Sequence, residues 1–262
     1  GDSIVKLDTG KKRISPIGQK ETHEFLSALN DFYRTSRFND FFNTHTDIYE
    51  LGLQVFNDSV MAHFDQEWYT RFYGTPPAEQ FRIIIGFTNG PCNYGPSRKL
   101  TGQPKEVFAI MNYAVDDNER PIFYKKVVET VVHEFCHSFT KIKGDTEKAL
   151  EKSGKALQEY TYFSMRRQAY STWRNILEES LVRAATICYL IDHDYDEKDI
   201  RNAIIEQVDR NFFWMPELVQ TLRYYESHRK KYPTFTSFYP EIIRFFDRYV
   251  TNMEKEMKKA MK

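Results

Sequence analysis

Five residues near the middle of the chain, His133-Glu134-Phe135-Cys136-His137, constrain it more than any others. A helix turns about 100° per residue, so positions i and i+4 lie one turn apart on one face, and two imidazoles at that spacing can reach a single ion. The glutamate between them then stands beside any water the ion holds. Zn²⁺ lowers the pKa of such a water from 15.7 to roughly 7, and a carboxylate within hydrogen-bond reach can take its proton as it attacks a carbonyl. The motif therefore points to Zn²⁺ as cofactor and to metal-assisted hydrolysis of a peptide bond, with His133 and His137 as ligands and Glu134 as general base.

The flanking residues agree with a buried helix. Val127, Val128, Val131, Val132, Phe135 and Phe139 recur at helical spacings. Ionisable groups on such a helix need partners. The plainest alternative is a pair of core histidines bonded to backbone, with Glu134 on a solvated edge. A metal satisfies all three groups together, whereas burying them uncompensated is costly.

A catalytic zinc takes three protein ligands and keeps a fourth position for water. The metzincin extension needs Gly and His three and six residues after the second His, where this chain has Thr140 and Lys143, so that class is excluded. The stretch from Trp173 to Ile187 reads as an apolar helix with a narrow polar strip of Glu179, Ser180, Arg183 and Thr186. Glu179 is the expected third ligand, with Arg183 as its partner, although an ordinary helix-face ion pair has the same spacing. Glu178 shares its side with Leu181, Val182 and Ala185 and is the reserve. Cys92, in the loop Gly90-Pro-Cys-Asn-Tyr-Gly95, is a further option, because thiolate is a good zinc donor. Peptide deformylases draw a Cys ligand from upstream of HExxH, but their Glu-Gly-Cys-Leu-Ser signature is absent here.

With these residues in view, the chain resembles the gluzincin group of zincin-fold peptidases, in which two His of HExxH and a downstream Glu bind zinc. It resembles more closely an uncharacterised bacterial family of domains of unknown function expected to be zincin-like. The blocks that carry this are Asn93-Tyr-Gly-Pro-Ser97, His133-Glu-Phe-Cys-His-Ser-Phe139, Glu179-Ser-Leu-Val-Arg-Ala184 and Tyr232-Pro-Thr-Phe-Thr-Ser-Phe-Tyr-Pro240. The resemblance implies a zincin fold with His133, His137 and Glu179 on the metal and Glu134 as base. It also implies that a sheet strand beside the active helix pairs with an extended peptide, which makes Asn93-Tyr94 and Asn112-Tyr113 substrate-side candidates. Turn chemistry explains Asn93 equally well. One departure stands out: Arg183 occupies a place where many gluzincins carry an acid.

The expected fold class is α+β, mainly helical, with a small mixed sheet packed on the HExxH helix and a helical C-terminal lobe. Helices are expected over residues 20–73, broken near 43–46 and 58, and strands over 81–87 and 107–115. The polar run Lys143–Lys155 marks the expected crossing between an N-terminal lobe, 1–142, and a C-terminal lobe, 143–262, with helices near 156–191, 197–210, 215–230 and 239–260. Asp192-His193-Asp194 with Asp196 lacks calcium-loop spacing and reads as an acidic loop between helices.

Composition bounds the rest. The 262 residues are 41% hydrophobic, enough for a sizeable core. Lys+Arg and Asp+Glu both number 37, so charge makes no case for nucleic acid or an acidic membrane surface. No run of 18 apolar residues exists to span a bilayer. Aromatic pairs such as Phe41-Phe42, Phe212-Phe213, Tyr224-Tyr225 and Phe245-Phe246 read as packing between helices. Cys92, Cys136 and Cys188 allow at most one disulfide. The start at Gly1, with the resemblance, suggests an exported protein, periplasmic or at the cell surface, whose signal has been removed.

The expected partner is a peptide or protein substrate. Tyr94, Tyr170, His228 and Tyr239 are candidates to stabilise the oxyanion. The rival reading is a zinc-containing, non-catalytic module that binds a peptide or glycan, although a purely structural site has no need of Glu134.

Overall fold

Helices carry most of the regular structure, and a small mixed sheet with a separate two-stranded pair carries the rest, so the fold is α+β and mainly helical. The structure, a computed structural model, describes residues 18–90 and 92–260. Two units divide it. One takes the chain up to His63 together with Ala78–Val127; the other takes Phe64–Pro77 together with the chain from Val128 onward.

The first unit begins with helices α1 (Gln19–Thr35), α2 (Phe38–Thr44) and α3 (Thr46–Ser59). Arg37, at φ 51°, makes the break between α1 and α2, which apolar spacing does not reveal. The strands are β1 (Gln80–Ile85), β2 (Ser97–Arg98), β3 (Glu106–Met111), β4 (Ala114–Val115) and β5 (Pro121–Ile122). Strand β3 is central: β1 pairs with it in parallel, from Gln80 opposite Glu106 to Ile85 opposite Met111, and β2 pairs antiparallel on its other side. The expected strand 107–115 is interrupted at Asn112, whose N–H donates to Asn93 Oδ1 at 2.9 Å instead of to a neighbouring strand. After the break, β4 pairs only with β5.

The second unit holds α4 (Trp68–Tyr73), α5 (Lys126–Cys136, from Val128 on), α6 (Gly144–Tyr160), α7 (Tyr162–Arg167), α8 (Trp173–Asp192), α9 (Glu197–Asp209), α10 (Met215–Ser227) and α11 (Phe235–Ala260). Helix α8 is buried almost all round, as befits a sequence apolar on every side but one strip. It packs against α6, α9 and α10. The chain passes into the second unit for the last time between Val127 and Val128, whereas the expected lobe boundary lies at 142–143. The polar run 143–155 is the start of α6, whose Leu150, Ser153, Gly154 and Leu157 form a buried stripe at i, i+3, i+4 and i+7. Gly154 lets α6 approach α8 closely, since a Cβ there would come within 2.5 Å of the Trp173 ring.

The doubled aromatics divide by geometry. Phe245 and Phe246 are both buried, but only Phe212 and Tyr225 of their pairs are, and Phe41 and Phe42 are both exposed. Neighbours on a helix point about 100° apart, so a single core face ordinarily takes one of the two. No helix among the described residues is long and apolar enough to cross a membrane.

Candidate metal centre

Helix α5 buries Val128, Val131, Val132, Phe135 and Cys136. Each fully buried Val or Phe contributes about 1.5–3 kcal/mol, so this face fixes the rotation of the helix. Tyr69 reinforces it by donating its hydroxyl to the Val132 carbonyl at 3.1 Å. By helical periodicity His133, Glu134 and His137 fall on the opposite side. The helix ends at Cys136, and a tightened turn follows, in which Ser138 N–H donates to the Phe135 carbonyl and Phe139 N–H to that of Cys136. His137 is thus held at the helix end, its ring centroid 5.0 Å from that of His133 and the two planes at 84°.

Glu179 arrives from α8, which starts where Thr172 Oγ1 accepts the Asn175 N–H at 3.2 Å. Its carboxylate faces both imidazoles. His133 Nε2 lies 3.4 Å from Oε1, His137 Nε2 lies 3.6 Å from Oε2, and ligand atoms from the three residues all lie within 4.8 Å of one another. Zinc–ligand bonds of about 2.0–2.1 Å at tetrahedral angles place ligand atoms about 3.4 Å apart, so the donor set fits a zinc ion.

The carboxylate is oriented from behind. Arg183 Nη2 donates to Glu179 Oε1 at 2.8 Å and to the Tyr170 hydroxyl at 3.0 Å, while Nη1 donates to Gln207 Oε1. The guanidinium stacks over the Phe212 ring, 5.1 Å from its centroid. Tyr170 in turn donates its hydroxyl to Glu179. It is placed by the end of α7, where Ala169 takes a left-handed φ of 66°, its N–H donates to the Arg166 carbonyl, and the Tyr170 N–H donates to that of Met165. This is the helix-stop pattern that usually employs glycine.

Burial dominates the electrostatics. It pushes His133 down to about 4 and lowers His137, so both rings are neutral at pH 7, the form that offers a lone pair to a metal. Burial alone would raise Glu179, but His133 and His137 when protonated, together with the permanent charge of Arg183, hold it below the ordinary carboxyl range. Burial and the neighbouring charge of Glu179 raise Glu134 to about 7. Among the described residues Glu134 makes no hydrogen bond or ion pair, so its oxygens are free to meet a water.

Glu178 turns away: Oε1 accepts the Ile142 N–H and Oε2 the Lys141 ammonium, each at 2.9 Å. Cys92 is exposed and belongs to the first unit, as do Asn93, which serves Asn112, and Tyr94, whose backbone pairs with Ile110. His228 Nδ1 lies 2.9 Å from the Tyr224 carbonyl at the end of α10. The Tyr239 hydroxyl is buried and, among the described residues, has no hydrogen-bond partner. Gln207, 24 residues beyond Arg183 in sequence, carried no signal that could have found it.

The fold and the site together define a helical α+β domain with a cluster of two histidines and one carboxylate. The chain belongs to the family described as a domain of unknown function (DUF4932), which matches residues 4–245. No curated protein and no solved structure matches it.

Proposed function

We propose that the protein is a zinc-dependent metallopeptidase of the gluzincin type in a zincin-like fold, with His133, His137 and Glu179 as ligands and Glu134 as general base. The observation that carries this reading is the convergence of two neutral imidazoles and one oriented carboxylate, with Nε2 atoms 3.4 and 3.6 Å from the Glu179 oxygens and ligand atoms of all three residues within 4.8 Å of one another. Zinc held there would supply Lewis acidity and a water that ionises near pH 7. Glu134, which makes no hydrogen bond or ion pair among the described residues, would take the proton of the attacking water and pass it to the leaving nitrogen. Arg183 and Tyr170 orient Glu179, and with its hydroxyl spent on that carboxylate Tyr170 is a positioning residue.

A second reading, a zinc-containing module that binds a peptide or glycan without cutting it, is favoured by one contact. Arg183 holds Oε1 at 2.8 Å, a cation where many gluzincins carry an acid, so the surroundings of the third ligand differ from those of an active peptidase of that group. Peptide hydrolysis by zinc-loaded protein, abolished by Glu134→Gln while zinc content is retained, selects the peptidase. Zinc uptake without hydrolysis of a broad quenched-peptide library selects the binding module.

A further inference from the structure

Beside the cluster, on the side of His137 and Glu179, is a cavity of about 300 Å³ also lined by Lys141, Tyr170, Asn175 and Glu178. This volume stands at the low end of small-molecule sites and suits a single side chain of a longer ligand. Its polar groups are unequally committed. Both oxygens of Glu178 already accept a hydrogen bond, one from the Ile142 N–H and one from Lys141. Lys141 gives one of its three N–H groups to that bond; among the described residues it makes no other hydrogen bond or ion pair. The Asn175 side chain, also among the described residues, makes no hydrogen bond. The bonding capacity left to a ligand therefore includes two ammonium donors and an amide.

Charge points the same way. Lys141 offsets Glu178 and Arg183 offsets Glu179, so a divalent ion on His133, His137 and Glu179 leaves the surroundings of this cavity net positive. We infer that the cavity is the specificity pocket of the site and takes a carboxylate-bearing side chain, aspartate or glutamate, with Lys141 as the residue that selects it. The inference rests on the metal reading above, because the ion both anchors the substrate beside the pocket and supplies the excess positive charge.

The test uses amino-acid hydroxamates, which share one zinc-chelating group and differ only in the side chain. Binding of the glutamate, glutamine and leucine hydroxamates to zinc-loaded protein is measured by calorimetry, with zinc content determined on the same samples. Glutamate hydroxamate is expected to bind about tenfold more tightly than either of the others, the scale of one charge-assisted hydrogen bond. Lys141→Met closes that gap, and Lys141→Arg, which keeps the charge and the pair with Glu178, preserves it. Equal affinities across the series, a glutamine ligand as tight as glutamate, or a gap that survives Lys141→Met each overturns the pocket while leaving the metal site standing. A chain that takes up no zinc overturns both.

Discussion

Helix α8 carries Glu179 in its first half and Asp192 as its last residue, and these two acids are used in opposite ways. Asp192, about 20 Å along the axis from Glu179, is fully engaged: Oδ2 accepts the Trp68 indole N–H at 2.8 Å and Oδ1 accepts from Arg223. Its neighbour His193 is spent as well, with Nδ1 2.8 Å from the Tyr189 carbonyl and Nε2 3.1 Å from Asp65 Oδ2. Asp194, at φ 51°, closes the helix, its N–H donating to the Ile191 carbonyl and the Tyr195 N–H to that of Leu190. At Glu179 the imidazole nitrogens stand 3.4 and 3.6 Å away, beyond the usual range of an N–H···O bond, and converge on a shared space instead of on one another. The acid and histidine at the end of α8 are thus engaged with neighbouring groups, whereas Glu179, nearer the start of the same helix, faces two imidazoles supplied by α5 and the turn that follows it.

The sharpest way to break this comparison is to exchange the damage. His137→Ala is expected to abolish stoichiometric zinc binding, read by metal analysis after dialysis. Asp192→Ala should leave zinc content intact and lower unfolding stability by about 1–3 kcal/mol, because it strands the partners of a hydrogen-bonded acid. Equal loss of zinc in the two variants would collapse the distinction. Next in size, Glu134→Gln should keep zinc and reduce peptide hydrolysis by about 10²–10⁴-fold, the usual weight of a general base.

The metal-free protein sharpens the account through pH. Glu134 is raised to about 7, so the folded state holds its proton more tightly than the unfolded chain. The associated stability is present below the ordinary glutamate pKa and is lost as pH rises through about 7. Metal-free Glu134→Gln should therefore gain about 2 kcal/mol on metal-free wild type between pH 4.5 and 8, allowing for partial exposure. His133, lowered to about 4, works in the opposite sense: its stability is present above pH 6.5 and lost as pH falls through about 4, and it cancels in that difference. A gain that does not vary with pH would contradict the burial assigned to Glu134. The smallest expected effect is that of Tyr170→Phe, which removes a hydrogen bond to Glu179 and should weaken zinc binding by about tenfold without unfolding the protein.

Much of this cluster could be read before any coordinates, because periodicity is local. The spacing within HExxH put both imidazoles on one face, and the polar strip Glu179, Ser180, Arg183, Thr186 singled out the acid that meets them over Glu178. Other features depend on contacts distant in sequence. Nothing local says that Ala169 adopts a left-handed turn that brings Tyr170 to Glu179, or that Gln207 receives Arg183. The run 143–155 looked like a linker because its polar face is wide, yet Leu150, Ser153, Gly154 and Leu157 are a core stripe. The break in the second strand was hidden for a similar reason, since it depends on Asn93, 19 residues upstream, taking the Asn112 N–H.

The central claim is that His133, His137 and Glu179 grip one divalent ion, and anomalous diffraction from a crystal of zinc-loaded protein, recorded on both sides of the zinc absorption edge, tests it most directly. The account predicts a single strong peak about 2.0–2.2 Å from both imidazole Nε2 atoms and a Glu179 oxygen. An empty cluster in zinc-loaded crystals, or a peak seated at Asp192 instead, would contradict it.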